Sequence, residues 1–101
     1  MIKKVNLERL LRSFKSDEEK FRVISRLAGR IEIPFNMLEK TKEYYEKKCF
    51  FGIAGELTYQ LAELAKNSGI KEKAKQLYLE ADRLQFKAIE DYKTHFIIKY
   101  K

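Results

Sequence analysis

From Lys71 to the last residue the chain contains no Gly and no Pro. Over that stretch apolar residues return at three- and four-residue steps: Ala74, Leu77, Tyr78, Ala81, Leu84, Ala88, Ile89, Tyr92 and Phe96. That spacing lines one face of an α-helix, and the two residue types that interrupt helices most strongly are missing. A single long helix over 71–97 is therefore expected, with Lys71, Lys75, Glu80, Arg83, Lys87 and Lys93 on its solvent side. In a chain of 101 residues, such a helix leaves room for one domain with a modest core. The remainder has the same character: one Pro, four Gly, 45% hydrophobic and 37% charged residues, with no sustained apolar–polar alternation. The expected class is all-α, a small bundle of about five helices.

Four further helices precede the long one. Helix 7–15 has Asn6 as N-cap and Leu7, Leu10, Leu11 and Phe14 on one face. Helix 17–32 opens at Ser16-Asp17-Glu18-Glu19, a Ser cap followed three residues on by Glu. Gly29 weakens it, and Ile33-Pro34 ends it because the residue before a proline is pushed out of the α region. Helix 36–48 carries Met37, Leu38, Tyr44 and Tyr45. Gly52 and Gly55 then read as a bend in CFFGIAGE before helix 54–67, whose apolar face is Leu57, Leu61, Ala62, Leu64 and Ala65. Asn67-Ser68-Gly69 stops that helix, Gly69 suiting the left-handed residue beyond it.

A short stop between two helices invites a search for repeats. Sliding the chain by 34 positions superposes Leu27 on Leu61, Ala28 on Ala62, Tyr44 on Tyr78, Glu46 on Glu80, Ala54 on Ala88 and Glu56 on Glu90. The stretch Leu61–Ala81 resembles a tetratricopeptide repeat: Leu61 and small Ala62, a turn at Ser68-Gly69, then Ala74, Tyr78 and Ala81. Thr58 and Ala65 stand where that family has aromatic residues, and Phe86 where it has its closing proline. The earlier copy, about 21–54, keeps Leu27, Ala28 and Tyr44 but has Lys40 and Lys47 at the small positions. The resemblance implies one or two degenerate antiparallel hairpins, with the first helix of each lining a concave ligand surface. The Ala-x-x-Leu-Tyr-x-x-Ala pattern also resembles the three-helix domains of microtubule-interacting and trafficking proteins, which hold helical peptides in a groove. Residues 24–48 are similar, more faintly, to the opening of a cyclin-type repeat.

Enzyme chemistry finds little support. His95 is the sole histidine, with no triad or ligand partner in view. Cys49 is the sole cysteine, so no internal disulfide forms. Between Lys48 and Phe50-Phe51 it reads as an inert core thiol. No phosphate-binding glycine loop or metal-ligand cluster appears, so no catalytic residue, metal or cofactor is assigned. No apolar run is long enough for a membrane span, and the first residues lack a signal-peptide core, pointing to the cytoplasm.

The charge is +7, unevenly spread: nine basic and four acidic residues in 1–30, five and six in 31–70, eight and five in 71–101. The expected function is a non-enzymatic module that binds a protein or peptide segment, with self-association as a homodimer as a further expectation. The concave surface implied by the family places partner-binding residues at Arg22, Ser25 and Arg26 in the earlier copy and Tyr59, Glu63 and Lys66 in the later one. Tyr45, Tyr59 and Tyr100 fall off the core faces, and tyrosines suit binding grooves. The alternative is a nucleic-acid-binding domain using its basic ends. Its contacts would be Lys3, Lys4, Arg9, Arg12, Arg22, Arg26 and Arg30 at one end and Lys71, Lys73, Lys75, Arg83 and Lys87 at the other.

Overall fold

A computed structural model describes the backbone of residues 6–100 and the side chains of residues 6–93. Five helices follow one another in it: α1 (Leu7–Leu11), α2 (Asp17–Leu27), α3 (Phe35–Lys47), α4 (Phe51–Asn67) and α5 (Lys71–Tyr100). No strand forms among the described residues, and the fold is all-α.

The helix starts follow their caps. Asn6 Oδ1 accepts the Arg9 N–H at 3.1 Å, and Ser16 Oγ accepts the Glu19 N–H at 3.2 Å. Glu19 folds back to accept the Lys15 N–H at 3.3 Å, a reciprocal box displaced by one residue. The stops are less regular. Helix α1 ends at Leu11, short of residue 15. Helix α2 ends at Leu27, well before Ile33, because Ala28 turns extended (ψ 130°) and Gly29 enters the left-handed region at φ +84°. Gly29 is thus the stop itself. The segment that follows buries Ile33 before Pro34 opens α3.

Between α3 and α4 the bend expected at Gly52 and Gly55 does not form, since α4 runs straight through both. The chain turns earlier, at Cys49, whose φ is +63°. The Phe50 N–H reaches back to the Tyr45 carbonyl and the Cys49 N–H to the Glu46 carbonyl, both at 2.9 Å. The same pair of bonds closes α4, from Ile70 to Ala65 (2.9 Å) and from Gly69 to Lys66 (3.0 Å). Both ends are Schellman turns, one with glycine at the left-handed position and one with cysteine. Cys49 is exposed, which corrects its expected place in the core.

Helices α4 and α5 run antiparallel and make the most extensive contact in the fold. Small residues permit it: Ala54, Ala62, Ala74 and Ala81 are buried, and a Cβ on Gly55 would stand 2.8 Å from Gln85 Nε2. The glycines of 49–56 are therefore packing residues, and Gln85 Nε2 also donates to the Gly52 carbonyl at 3.2 Å. The core joins Leu57, Leu61 and Leu84 to Ile24, Ile33, Leu38 and Tyr45, with Leu7 and Leu11 of α1. Its buried hydroxyls, Thr41 and Thr58, each donate to the carbonyl four residues back at 2.7 Å.

Candidate functional site

Helix α2 packs mainly against α3, so a groove of about 800 Å³ opens between α2 and α4, with the last turn of α3 at its base. Arg22, Ser25 and Arg26 come to it from α2 because positions three and four apart share a helix face. Tyr44, Tyr45 and Lys48 enter from α3, and Ile53, Glu56, Leu57 and Gln60 from α4. The Cys49 turn places Phe50 at one end, where Phe50 and Ile53 leave an exposed apolar step. Tyr45 is buried in the floor, a correction to its expected place off the core. Its hydroxyl lies 3.4 Å from Ser25 Oγ, which in turn donates to the Arg22 carbonyl at 2.8 Å.

The groove is apolar below and charged at its rim. Glu18 faces two cations at long range, Lys48 Nζ at 3.8 Å and Arg22 Nη2 at 3.9 Å, and Lys48 also lies 4.9 Å above the Tyr44 ring. Arg26 has no ion-pair partner among the described residues, so its guanidinium is free to meet a ligand carboxylate. Gly29 sits against Gln60 at the mouth, where an added Cβ would come within 3.1 Å of Nε2.

The remaining partner-binding expectations fall elsewhere. Tyr59 and Glu63 lie on the flank of α4 that faces α5, and Lys66 is exposed near the end of α4. Glu63 Oε1 accepts the Tyr78 hydroxyl at 2.8 Å, and the Tyr59 and Tyr78 rings meet edge to face at 5.5 Å. Hydrogen bonds from Tyr78 and Tyr59 hold the Glu63 carboxyl below its ordinary range. Desolvation and the bond to Glu63 push the Tyr78 hydroxyl up to about 12, and the bond to Glu63 raises Tyr59 as well. The six residues thus fall in different places, three of them in the α2–α4 groove and Tyr59 and Glu63 on the side of α4 against α5. Sequence reasoning missed Phe50 and Ile53, since their exposure depends on a left-handed turn at a residue other than glycine. Tyr100 and His95 have side chains outside the described residues.

The basic residues do not assemble into one strip. Lys3 and Lys4 lie outside the described residues. Arg83 lies 3.8 Å from both Glu46 and Glu80, beside Lys42, whose Nζ is 2.7 Å from each of those carboxylates. Burial opposes the charge on Lys42, but the two carboxylates outweigh it and raise its pKa. Lys87 lies 4.4 Å over the Phe51 ring and Lys73 4.6 Å over Phe35. Arg9, Arg12, Arg30, Lys71 and Lys75 are exposed, the first two at α1, Arg30 in the α2–α3 connection and the last two on the first turns of α5.

A second groove, of about 810 Å³, lies at the other end of the bundle between α1, the start of α3 and the α4–α5 turn. Leu7, Ile33, Phe35, Leu64 and Ile70 give it a mostly apolar lining. Among the described residues no group of three or more His, Cys, Asp or Glu is placed to hold a metal ion, and no helix is long and apolar enough to cross a membrane. No family model, curated protein or solved structure matches this chain.

Proposed function

We propose that the chain is a non-enzymatic helical interaction module, akin in design to a tetratricopeptide pair, which takes a protein segment into the α2–α4 groove. The observation that carries this reading is the groove's chemistry: an apolar step at Phe50 and Ile53 beside the unpaired Arg26. A segment with one bulky apolar side chain and a carboxylate a few residues away satisfies both, since buried apolar anchors and arginine supply most binding energy at such surfaces. The lone cysteine fits a reducing compartment, and the cytoplasm is the proposed location.

Selection from a displayed library of random peptides against the full chain tests it. Enriched sequences should pair an aromatic or large aliphatic residue with Asp or Glu. Arg26→Ala should weaken them by roughly tenfold, the equivalent of about 1.4 kcal/mol. Ile53→Asp should abolish binding with helical content unchanged. Peptides whose binding survives both substitutions but is lost in Tyr59→Ala would move the site to the α4–α5 flank and overturn the proposal. The nucleic-acid alternative predicts salt-dependent retention on DNA or RNA. Such retention without any enriched peptide would also overturn the proposal.

A further inference from the structure

Helix α5 outlasts the bundle beneath it. Its partner α4 begins at Phe51, which lies under Lys87, so α5 continues beyond the bundle from about Ala88 to Tyr100. Leu84 and Ala81 face α4 and are buried. Another side of the same helix carries Leu79 (62% exposed), Phe86 (64%) and Ile89 (53%) at the spacing of a coiled-coil seam, with Asp82 and Lys93 at the intervening seam positions. Neither Asp82 nor Lys93 has an ion-pair partner among the described residues.

We infer that this seam pairs with its counterpart on a second copy of the chain, antiparallel, in a two-fold dimer. The choice of occupant comes from the order of charges along the helix. With Phe86 opposite the partner's Ile89, the same register sets Asp82 opposite the partner's Lys93. By the two-fold axis, Lys93 then meets the partner's Asp82. The register also sets Leu79 opposite position 96, a phenylalanine in the sequence. Every layer then joins like with like in polarity and opposite in charge. A parallel pairing would instead oppose Asp82 to Asp82 and Lys93 to Lys93, a repulsive arrangement in the middle of the seam. The self-complementary pattern therefore selects both the partner and its direction. The paired length from position 79 to 96 is roughly 27 Å, which makes a small interface and a weak dimer, with a dissociation constant of order micromolar or above.

Sedimentation equilibrium on the full chain, from about 5 to 500 µM, spans that affinity range. The mass should rise from that of the 12.1 kDa monomer toward the dimer with increasing concentration. Asp82→Lys or Lys93→Asp alone should weaken association by roughly tenfold or more, because each sets like charges against each other twice. The double reversal, Asp82→Lys with Lys93→Asp, should restore it. Phe86→Glu should abolish it; circular dichroism confirms that these exposed substitutions leave the fold intact. A wild-type chain monomeric throughout the range overturns the inference. So do single reversals without effect, or a double reversal no better than the singles. The outcome is independent of the α2–α4 groove, whose peptide binding is read with Arg26 and Ile53 intact.

Discussion

The two hairpins, α2–α3 and α4–α5, share residues at equivalent positions and pack to different depths. Tyr44 and Tyr78, and Glu46 and Glu80, are identical at the 34-residue offset. Lys42 Nζ lies 2.7 Å from both carboxylates, from Glu46 as its i+4 neighbour on α3 and from Glu80 across to α5. The difference lies in the residues between them. Where the second hairpin has Ala74 and Ala81, both buried, the first has Lys40 and Lys47, both exposed. Where α4 continues as a helix through Ala62, the first hairpin has already left its helix at Ala28. Small side chains let α4 and α5 approach until Gly55 touches Gln85. In the first hairpin Phe21 and Tyr44 fill the gap instead, with ring centroids 4.7 Å apart. Small residues between α4 and α5 give close contact, while the bulkier residues between α2 and α3 give a looser one. The chain thus divides into a tightly packed pair, α4–α5, and a looser one, α2–α3, beside which the α2–α4 groove opens.

The largest expected effect puts that division to a direct test. Leu84 is 0% exposed, while Phe50, 34 positions earlier and at the start of α4, is 53% exposed. Leu84→Ala should destabilise the fold by about 2–5 kcal/mol through lost burial and the cavity left behind. Phe50→Ala should cost less than about 1 kcal/mol, since much of the ring already meets water. Chemical denaturation of the two variants measures both. Equal losses would show that Phe50 is as structural as Leu84 and would remove the apolar step from the binding surface.

The second hairpin was more legible in the sequence than the first, for a physical reason. Leu61, Ala62, Ala74 and Ala81 obey helical spacing and are all buried, and Gly69 sits where a left-handed residue is needed. The first hairpin departs from local rules at the places that shape the groove. Cys49 adopts a conformation that glycine favours, so the pattern pointed to Gly52 and Gly55 instead. Tyr45 is buried because α3 meets α4 on a face that periodicity within α3 alone does not reveal. The two Schellman turns give an intermediate-sized pair of opposite predictions. Cys49→Gly should stabilise the fold by roughly 0.5–1 kcal/mol by relieving left-handed strain, less the entropy glycine adds to the unfolded chain. Gly69→Ala should destabilise it by about 1 kcal/mol, although an added Cβ meets nothing within 4 Å, because the conformation itself is unfavourable. Thermal or denaturant unfolding of both variants checks the signs. A destabilising Cys49→Gly would mean that the side chain supports the turn.

The smallest effect is electrostatic and separates the hairpins by a single residue. The position 34 residues before Glu63 is Gly29, which carries no carboxylate. In the second hairpin the neutral Tyr78 hydroxyl is favoured by desolvation and by its bond to Glu63, which carry its pKa from an ordinary 10.0 to about 12. A group whose pKa is raised on folding contributes stability that is complete below its unfolded value. That contribution is lost as pH climbs through the folded value, here between about 10 and 12. Glu63 works in the opposite sense. Its pKa is lowered on folding, so its contribution is present above pH 4.5 and fades as pH falls through the folded value. In Tyr78→Phe, Glu63 should lose the stronger of its two hydroxyl donors, and its carboxyl, followed by carbon-detected NMR titration, should move up toward 4.5. Tyrosinate absorbance should lose its highest-pH component in the same variant. An unchanged Glu63 titration would mean that Tyr59 alone holds the carboxylate, and that the contact between α4 and α5 at this point is packing without a hydrogen bond.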